Sequence, residues 1–296
     1  MKKDVCPFCA SSNSNIWFLY DNQYNILNCR SCDIKYMSPY ISESSMDYTD
    51  YGSYITSLDD SYFRNRLNTS IQKRIFFSFI KYFCKQTNYI LDYGGGAGFF
   101  AKSCQNLGYP KTYIYEPSEN FRKAAVNKVL LDNKFVYNDL STIKQNSFHI
   151  ITMLDVIEHL PGNDVHEIFS RIKKILHPNG LFFGFTPNAH SLNILIHGIK
   201  DPVISPPSHV FYFTTKSLDK LMKQHGFRRV FSFTIGFSTN SFFRKSKFKS
   251  SWVEFPSRSQ KIPALFIKLL FKLISSFLTV FGMGYHIVFA YKLKDK

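Results

Sequence analysis

The chain has 296 residues, 45% hydrophobic and 17% aromatic, which is enough apolar material for a substantial core and excludes a disordered chain. Its 37 Lys and Arg against 21 Asp and Glu give a formal charge of +16. That balance favours polyanionic partners such as nucleic acid, anionic headgroups or phosphorylated substrates, but a solvated basic surface explains it equally well. No uncharged apolar run reaches bilayer length, and the opening MKKDVCPFCASSN lacks the apolar segment of a signal peptide. A reducing cytosol is the expected compartment.

The first chemistry lies in residues 1–40. Cys6-Pro-Phe-Cys9 is followed after nineteen residues by Cys29-Arg-Ser-Cys32. Two C-x-x-C knuckles at this separation fit four thiolates around one structural Zn2+, against the alternative of four free thiols spaced by chance. With every ligand position filled, such a site folds its module and does not catalyse. The stretch YNILNCRSC predicts a hairpin strand entering the second knuckle. Next, Tyr48, Tyr51 and Tyr54 with Arg64 and Arg66 read either as a cover over a ligand site or as an exposed linker and the start of a surface helix.

From about 60 to 237, strand-like and helix-like segments alternate, the pattern of an α/β fold with a mainly parallel sheet. Strands are predicted at 89–93, 112–115, 134–137, 149–154 and 181–185, and helices at 101–107, 119–128 and 165–176. The last helix is expected to stop at the Pro and Gly of HPNG. A capped helix over 217–227 then leads into a strand at 229–234. A basic and apolar insertion follows over 238–283, and YHIVFAYKL (285–293) reads as one more strand. Within the insertion, Lys268, Lys272, Ser275, Ser276 and Thr279 form a narrow polar stripe on a helix over 262–283 whose remaining surface is apolar. Beside Trp252 and the basic residues from Arg244 onward, this suits an interfacial helix on an anionic membrane. Packing of the same face on the sheet, a lid or a second subunit suits it as well.

The segment ILDYGGGAGFFA (90–101) carries the cofactor question. In one register it is the dinucleotide fingerprint G-x-G-x-x-G/A; in the other, Asp92-x-Gly94-x-Gly96-x-Gly98 sets an acid at the strand end. A pyrophosphate beyond the loop would be repelled by Asp92. The α-ammonium of S-adenosylmethionine would be attracted, so a methyl donor fits better. Glu116 closes the next strand at the distance where such folds place an acid on ribose hydroxyls. Asn138 and Asp139 end the strand after it, where Asp139 meets an adenine amino group and Leu140 the ring. A single acid at a strand end is often only a helix cap; three at successive strand ends are harder to explain so.

Together LDYGGGAGFFA, YEPSEN, NDL and ITMLDVIEHL resemble the class I S-adenosylmethionine-dependent methyltransferases, in particular the subgroup with Asp-Val-Ile-Glu-His after the fourth strand. The resemblance covers about residues 60–237 plus the final strand. It implies a Rossmann-like, seven-stranded, mostly parallel sheet with helices on both faces and an antiparallel last strand. It also implies that Asp92, Gly94, Gly96, Glu116, Asp139 and Asp155 surround the donor, with Gly98 completing the loop. The expected domains are the zinc-ribbon-like module (1–40), a methyltransferase domain (41–237 plus 284–296) and the insertion. A hydroxyl acceptor needs a base. DVIEHL supplies Glu158 and His159, with His209 of SHVFYF second, although His159 reads equally as a structural residue of its loop. Residues 186–214 are expected to wall the acceptor site. The cysteine module resembles knuckles on some bacterial methyltransferases, sugar-modifying ones among them. O-methylation of a sugar or lipid-linked saccharide precursor is therefore the leading expectation, at the inner face of the membrane if the insertion meets lipid. An RNA methyltransferase, a quinone-like lipid O-methyltransferase and a non-catalytic donor-binding scaffold are the rivals; nucleic acid ranks lower because no N/D-P-P-Y/F motif and no stacking-aromatic RNA signature is present.

Overall fold

The computed structural model describes residues 5–39, 55, 57–68, 80–162, 164–236 and 276–294. In chain order the strands are β1 (Ser14–Leu19), β2 (Asn25–Cys29), β3 (Lys35–Ser38), β4 (Ile90–Tyr93), β5 (Thr112–Tyr115), β6 (Val136–Tyr137), β7 (Phe148–Leu154), β8 (Leu176–Pro187), β9 (Phe211–Tyr212), β10 (Phe227–Ile235) and β11 (His286–Leu293). Helices considered below are α1 (Asp60–Asn68), α2 (Phe99–Asn106), α3 (Glu119–Asn127), α4 (Val165–Ile175), α5 (Leu192–His197) and α6 (Thr215–Gln224).

Seven strands form one sheet in the order β10-β11-β8-β7-β4-β5-β6, and the run from β6 to β8 is parallel throughout. This is the α/β, mostly parallel fold expected from the sequence. All four residues of β4 are buried, as a central parallel strand covered on both faces requires. Helix α4 places Val165, Ile168, Phe169, Ile172 and Ile175 at three- and four-residue spacing and buries them all. Each such side chain contributes about 1.5–3 kcal/mol relative to exposure. The HPNG stop works differently from the expectation. Helix α4 ends at Ile175, Leu176 already pairs with Phe148, and the ladder resumes only at Leu181 with Ile150. Between these pairs one residue of β7, His149, stands against four of β8, His177 to Gly180, so Pro and Gly here form a bulge inside a strand.

The second sheet has the order β1-β2-β3-β9. The β1–β2 hairpin turns where the Asp21 carboxylate accepts from the amides of Gln23 and Tyr24, a local closure typical of Asp. The described residues group into two compact units. One draws on 1–40, 186–220 and 232–288; the other on 41–185, 221–231 and 289–296. The first has a core of Ile26, Ala189, Ile194, Val203, Ile204 and Tyr212. The second contains the small clusters around Phe63 and Ala97 and around Ala101, Ile114 and Leu131. The helix expected over 262–283 lies outside the described residues up to 275, while 276–280 are helical. No described helix is long and apolar enough to cross a membrane.

Candidate functional site

Strands β4, β5 and β6 end in step, because Tyr93 pairs with Tyr115 and Tyr115 with Tyr137. The residues just past those ends therefore share one edge of the sheet. Asp92, one residue before the end of β4, is 3% exposed, and its Oδ1 accepts from Thr152 Oγ1 at 2.6 Å. Burial pushes its carboxyl up to about 7, the Thr152 bond opposes that, and the Glu116 charge adds to it.

The glycine loop hangs on β5: the amides of Gly94 and Gly95 donate to Tyr115 O at 2.8 and 3.2 Å. Its glycines answer to different constraints. Gly98 has φ +77°, and a Cβ there would lie 2.2 Å from Leu131 Cδ1, so close packing demands glycine. Gly96 has φ +54°, yet a Cβ would meet nothing nearer than Phe121 at 3.8 Å. Among the loop glycines, Gly96 is the one with open space beside its backbone.

Glu116 ties the loop to the second strand end. Its Oε2 accepts from Gly96 N and its Oε1 from Ser118 N, both at 2.9 Å. Burial raises this carboxyl, while the two amide bonds and then the Arg122 charge oppose that rise. Arg122 Nη1 donates to the carbonyls of Glu116 and Pro117 at 2.7 and 2.6 Å, which fixes the turn below the carboxylate. At the end of β6, Asn138 and Asp139 are exposed and Leu140 is buried. The Ser141 hydroxyl and amide both donate to Asp139 and hold its carboxyl below the usual range.

Past β7 the chain turns sharply. Asp155 has φ +53° and its amide donates to Phe185 O at 2.9 Å. Val156 then closes on the loop, its methyls standing where a Cβ on Gly94 would fall, at 2.8 Å. A short 3-10 turn, Ile157–His159, follows, with Glu158 2% exposed and His159 half-buried. Asp155 is itself exposed, but the protein around it and the neighbouring Glu158 push its carboxyl up to about 7, while His159 opposes that. Raised carboxyls gathered at one sheet edge are a mark of ligand sites. Thr152 and Arg122 escaped the sequence reading. Thr152 faces Asp92 only through the β4–β7 pairing, and Arg122 looks like any other basic residue of a surface helix.

In the other unit, His209 is half-buried. Its Nδ1 donates to Val203 O at 2.7 Å, and Tyr212 Oη donates to its carbonyl at 3.0 Å. The four sulfurs of Cys6, Cys9, Cys29 and Cys32 all lie within 4.8 Å of one another. The Cys6–Cys32 and Cys9–Cys29 separations are 3.6 and 3.5 Å. A tetrahedral Zn2+ with bonds of about 2.3 Å sets its sulfurs about 3.8 Å apart, so these residues fit that ion. Burial pushes the Cys9 thiol up to about 11, and the Cys6 bond together with burial raises Cys32. Cys29 goes the other way, to about 7: burial raises it, but hydrogen bonds from the backbone of Cys32 and Ser31 and from the Cys9 and Cys32 side chains outweigh that.

A methyltransferase-domain family profile matches residues 62–230. Among solved structures, the chain is similar to an S-adenosylmethionine-dependent methyltransferase of Archaeoglobus fulgidus at 18% identity, over 83% of this chain and 100% of that one, with a TM-score of 0.50. It is also similar to a protein of Pyrococcus horikoshii OT3 at 14% identity, over 84% and 100%, with a TM-score of 0.52. At these identities the likeness is one of fold. No curated protein sequence matches the chain significantly.

Proposed function

The chain belongs to the methyltransferase-domain family, and on that premise we propose that this S-adenosylmethionine-dependent enzyme methylates an oxygen of a sugar or of a lipid-linked saccharide precursor. The observation that carries the donor side is the open backbone at Gly96 beside a Glu116 carboxylate held by two amides. S-adenosylmethionine, when bound, supplies a methyl on a sulfonium that carries its own leaving group. Glu116 would accept from the ribose hydroxyls with the lone pairs not taken by the Gly96 and Ser118 amides. Asp92 would balance the α-ammonium, Asn138 and Asp139 would hold the adenine, and Asp155 would complete the set of residues around the donor.

On the acceptor side, the turn after β7 supplies the base. His159 takes the hydroxyl proton as the oxygen attacks, and the Glu158 carboxylate stabilises the imidazolium so formed. His209, with Nδ1 engaged by Val203 O, presents Nε2 as its basic nitrogen and is the second candidate. Four thiolates, from Cys6, Cys9, Cys29 and Cys32, hold a structural Zn2+ with no role in the chemistry. The lipid-linked reading draws on the basic and apolar sequence of 244–283. Its described end leaves Phe277, Val280 and Phe281 exposed at 62%, 81% and 57%, a surface that suits the cytoplasmic face of a membrane.

Labelled donor incubated with the purified chain and a fractionated cell extract tests this reading. Label is expected in saccharide or lipid-linked saccharide fractions and should drop about 100-fold or more with His159→Ala. Label in RNA assigns the enzyme to nucleic acid, label in a quinone-like lipid to that class, and donor binding without transfer makes it a scaffold.

A further inference from the structure

We infer that the four-cysteine module is the positioning element of the 203–213 segment, so that metal binding at Cys6, Cys9, Cys29 and Cys32 sets the placement of His209. The inference rests on reading His209 as a base of the proposed reaction; the mechanical coupling itself rests on contacts within one compact unit.

Both knuckles grip β9. From the first, Phe8 lies between Cys6 and Cys9 and packs, with its ring tilted, against Phe211 at 4.6 Å and Phe213 at 6.0 Å between ring centroids. From the second, the chain leaves Cys32 and enters β3, which pairs with β9 through Lys35–Tyr212 and Tyr36–Phe211. The Met37 amide extends the pairing by donating to Val210 O at 2.8 Å, and Lys220 Nζ of α6 donates to Ser31 O at 3.2 Å. A two-residue strand has little stability of its own, so β9 owes its position to β3 and to the rings around it.

His209 stands two residues before β9 and is fastened to the same parts. Tyr212, whose ring is 5.9 Å from Trp17 of β1 and packs with Ile26 of β2, donates its hydroxyl to His209 O. Val203, which accepts from His209 Nδ1, belongs to that same cluster. The path from sulfur to imidazole therefore runs through Phe8, Phe211 and Tyr212. Without a cation the four thiols lose their common centre and the knuckles that carry Phe8 and β3 lose their fixed geometry. Phe8 and Tyr212 are then positioning residues, acting on the reaction only through His209.

The test compares the full zinc-loaded chain, the chelator-treated chain and zinc-loaded Phe8→Ala. Readouts are amide hydrogen exchange over 203–213, the 15N resonances of His209, and calorimetric donor affinity. Chelation is expected to raise exchange over 203–213 at least tenfold and to erase the Nδ1–H signature of His209, with donor affinity within twofold. Phe8→Ala, retaining one equivalent of zinc, is expected to give the same changes at about a third of that size on a logarithmic scale. Faster exchange confined to 5–38, or loss of donor binding on chelation, overturns the inference, as does wild-type exchange in Phe8→Ala. If His209→Ala transfers methyl normally while the exchange coupling persists, His209 is not a base, and the coupling still stands.

Discussion

A carboxylate buried at a ligand loop has its charge set partly by what binds, and Asp92 is such a group. Its folded pKa of about 7 stands above the ordinary 3.8. Between those values the folded chain keeps a proton that the unfolded chain has released. Stability of the free chain therefore falls as pH rises from about 4 to 7, by about 1.4 kcal/mol per pH unit for each such proton. Asp155 titrates in the same direction. Asp92→Asn is expected to flatten this fall without abolishing it, as read from urea unfolding midpoints at pH 5 and 7. The donor ammonium favours the ionised form, so donor affinity should rise between pH 5.5 and 7 in the wild type and lose most of that rise in Asp92→Asn. For Glu116 the proposed role is two hydrogen bonds accepted by its charged oxygens, each about 1.5–3 kcal/mol. Glu116→Ala is expected to weaken donor binding about 10–100-fold by calorimetry; unchanged affinity would move the donor elsewhere.

At the scale of elements, the glycine loop separates packing from ligand access. Gly98→Ala combines a left-handed φ with a 2.2 Å overlap on Leu131, and should cost about 2–4 kcal/mol in unfolding experiments. Gly96→Ala meets no overlap, so it should cost only about 1–2 kcal/mol while weakening the donor more than tenfold. Equal effects of the two on donor binding would remove the special role of Gly96. These elements were legible because their signals are local: an apolar run, an acid, then glycines, then a helical spacing. Strand 112–115 is found at the expected residues, and helix α3 ends one residue short of them. Elements defined by distant partners were not legible. The run VFYFT around β9 has strand-forming residues, but which two of them pair is decided by β3, some 175 positions earlier in the sequence. HPNG reads as a helix stop, yet β7 draws it into a bulged strand.

For the molecule as a whole, the formal charge of +16 predicts attraction to any polyanion, and the class of partner shows in what survives added salt. Binding to anionic vesicles should persist at 0.3 M salt through the exposed Phe277, Val280 and Phe281, and Phe277→Asp with Phe281→Asp should reduce it at least tenfold. Binding to RNA should collapse over the same range, since phosphate contacts alone would carry it; tight RNA binding at 0.3 M salt would reverse the order of preference. The α/β alternation, the glycine loop and the acids at three strand ends could be read from the chain alone, because each is written in residues within a few positions of one another. It took the folded chain to show that Thr152 bonds Asp92, that Gly96 is the loop glycine with open space beside it, and that the cysteine module shares a sheet and a core with residues beyond 186. Those facts depend on which strands pair across long stretches of chain, and pairing is fixed by packing of the whole fold, not by any local spacing.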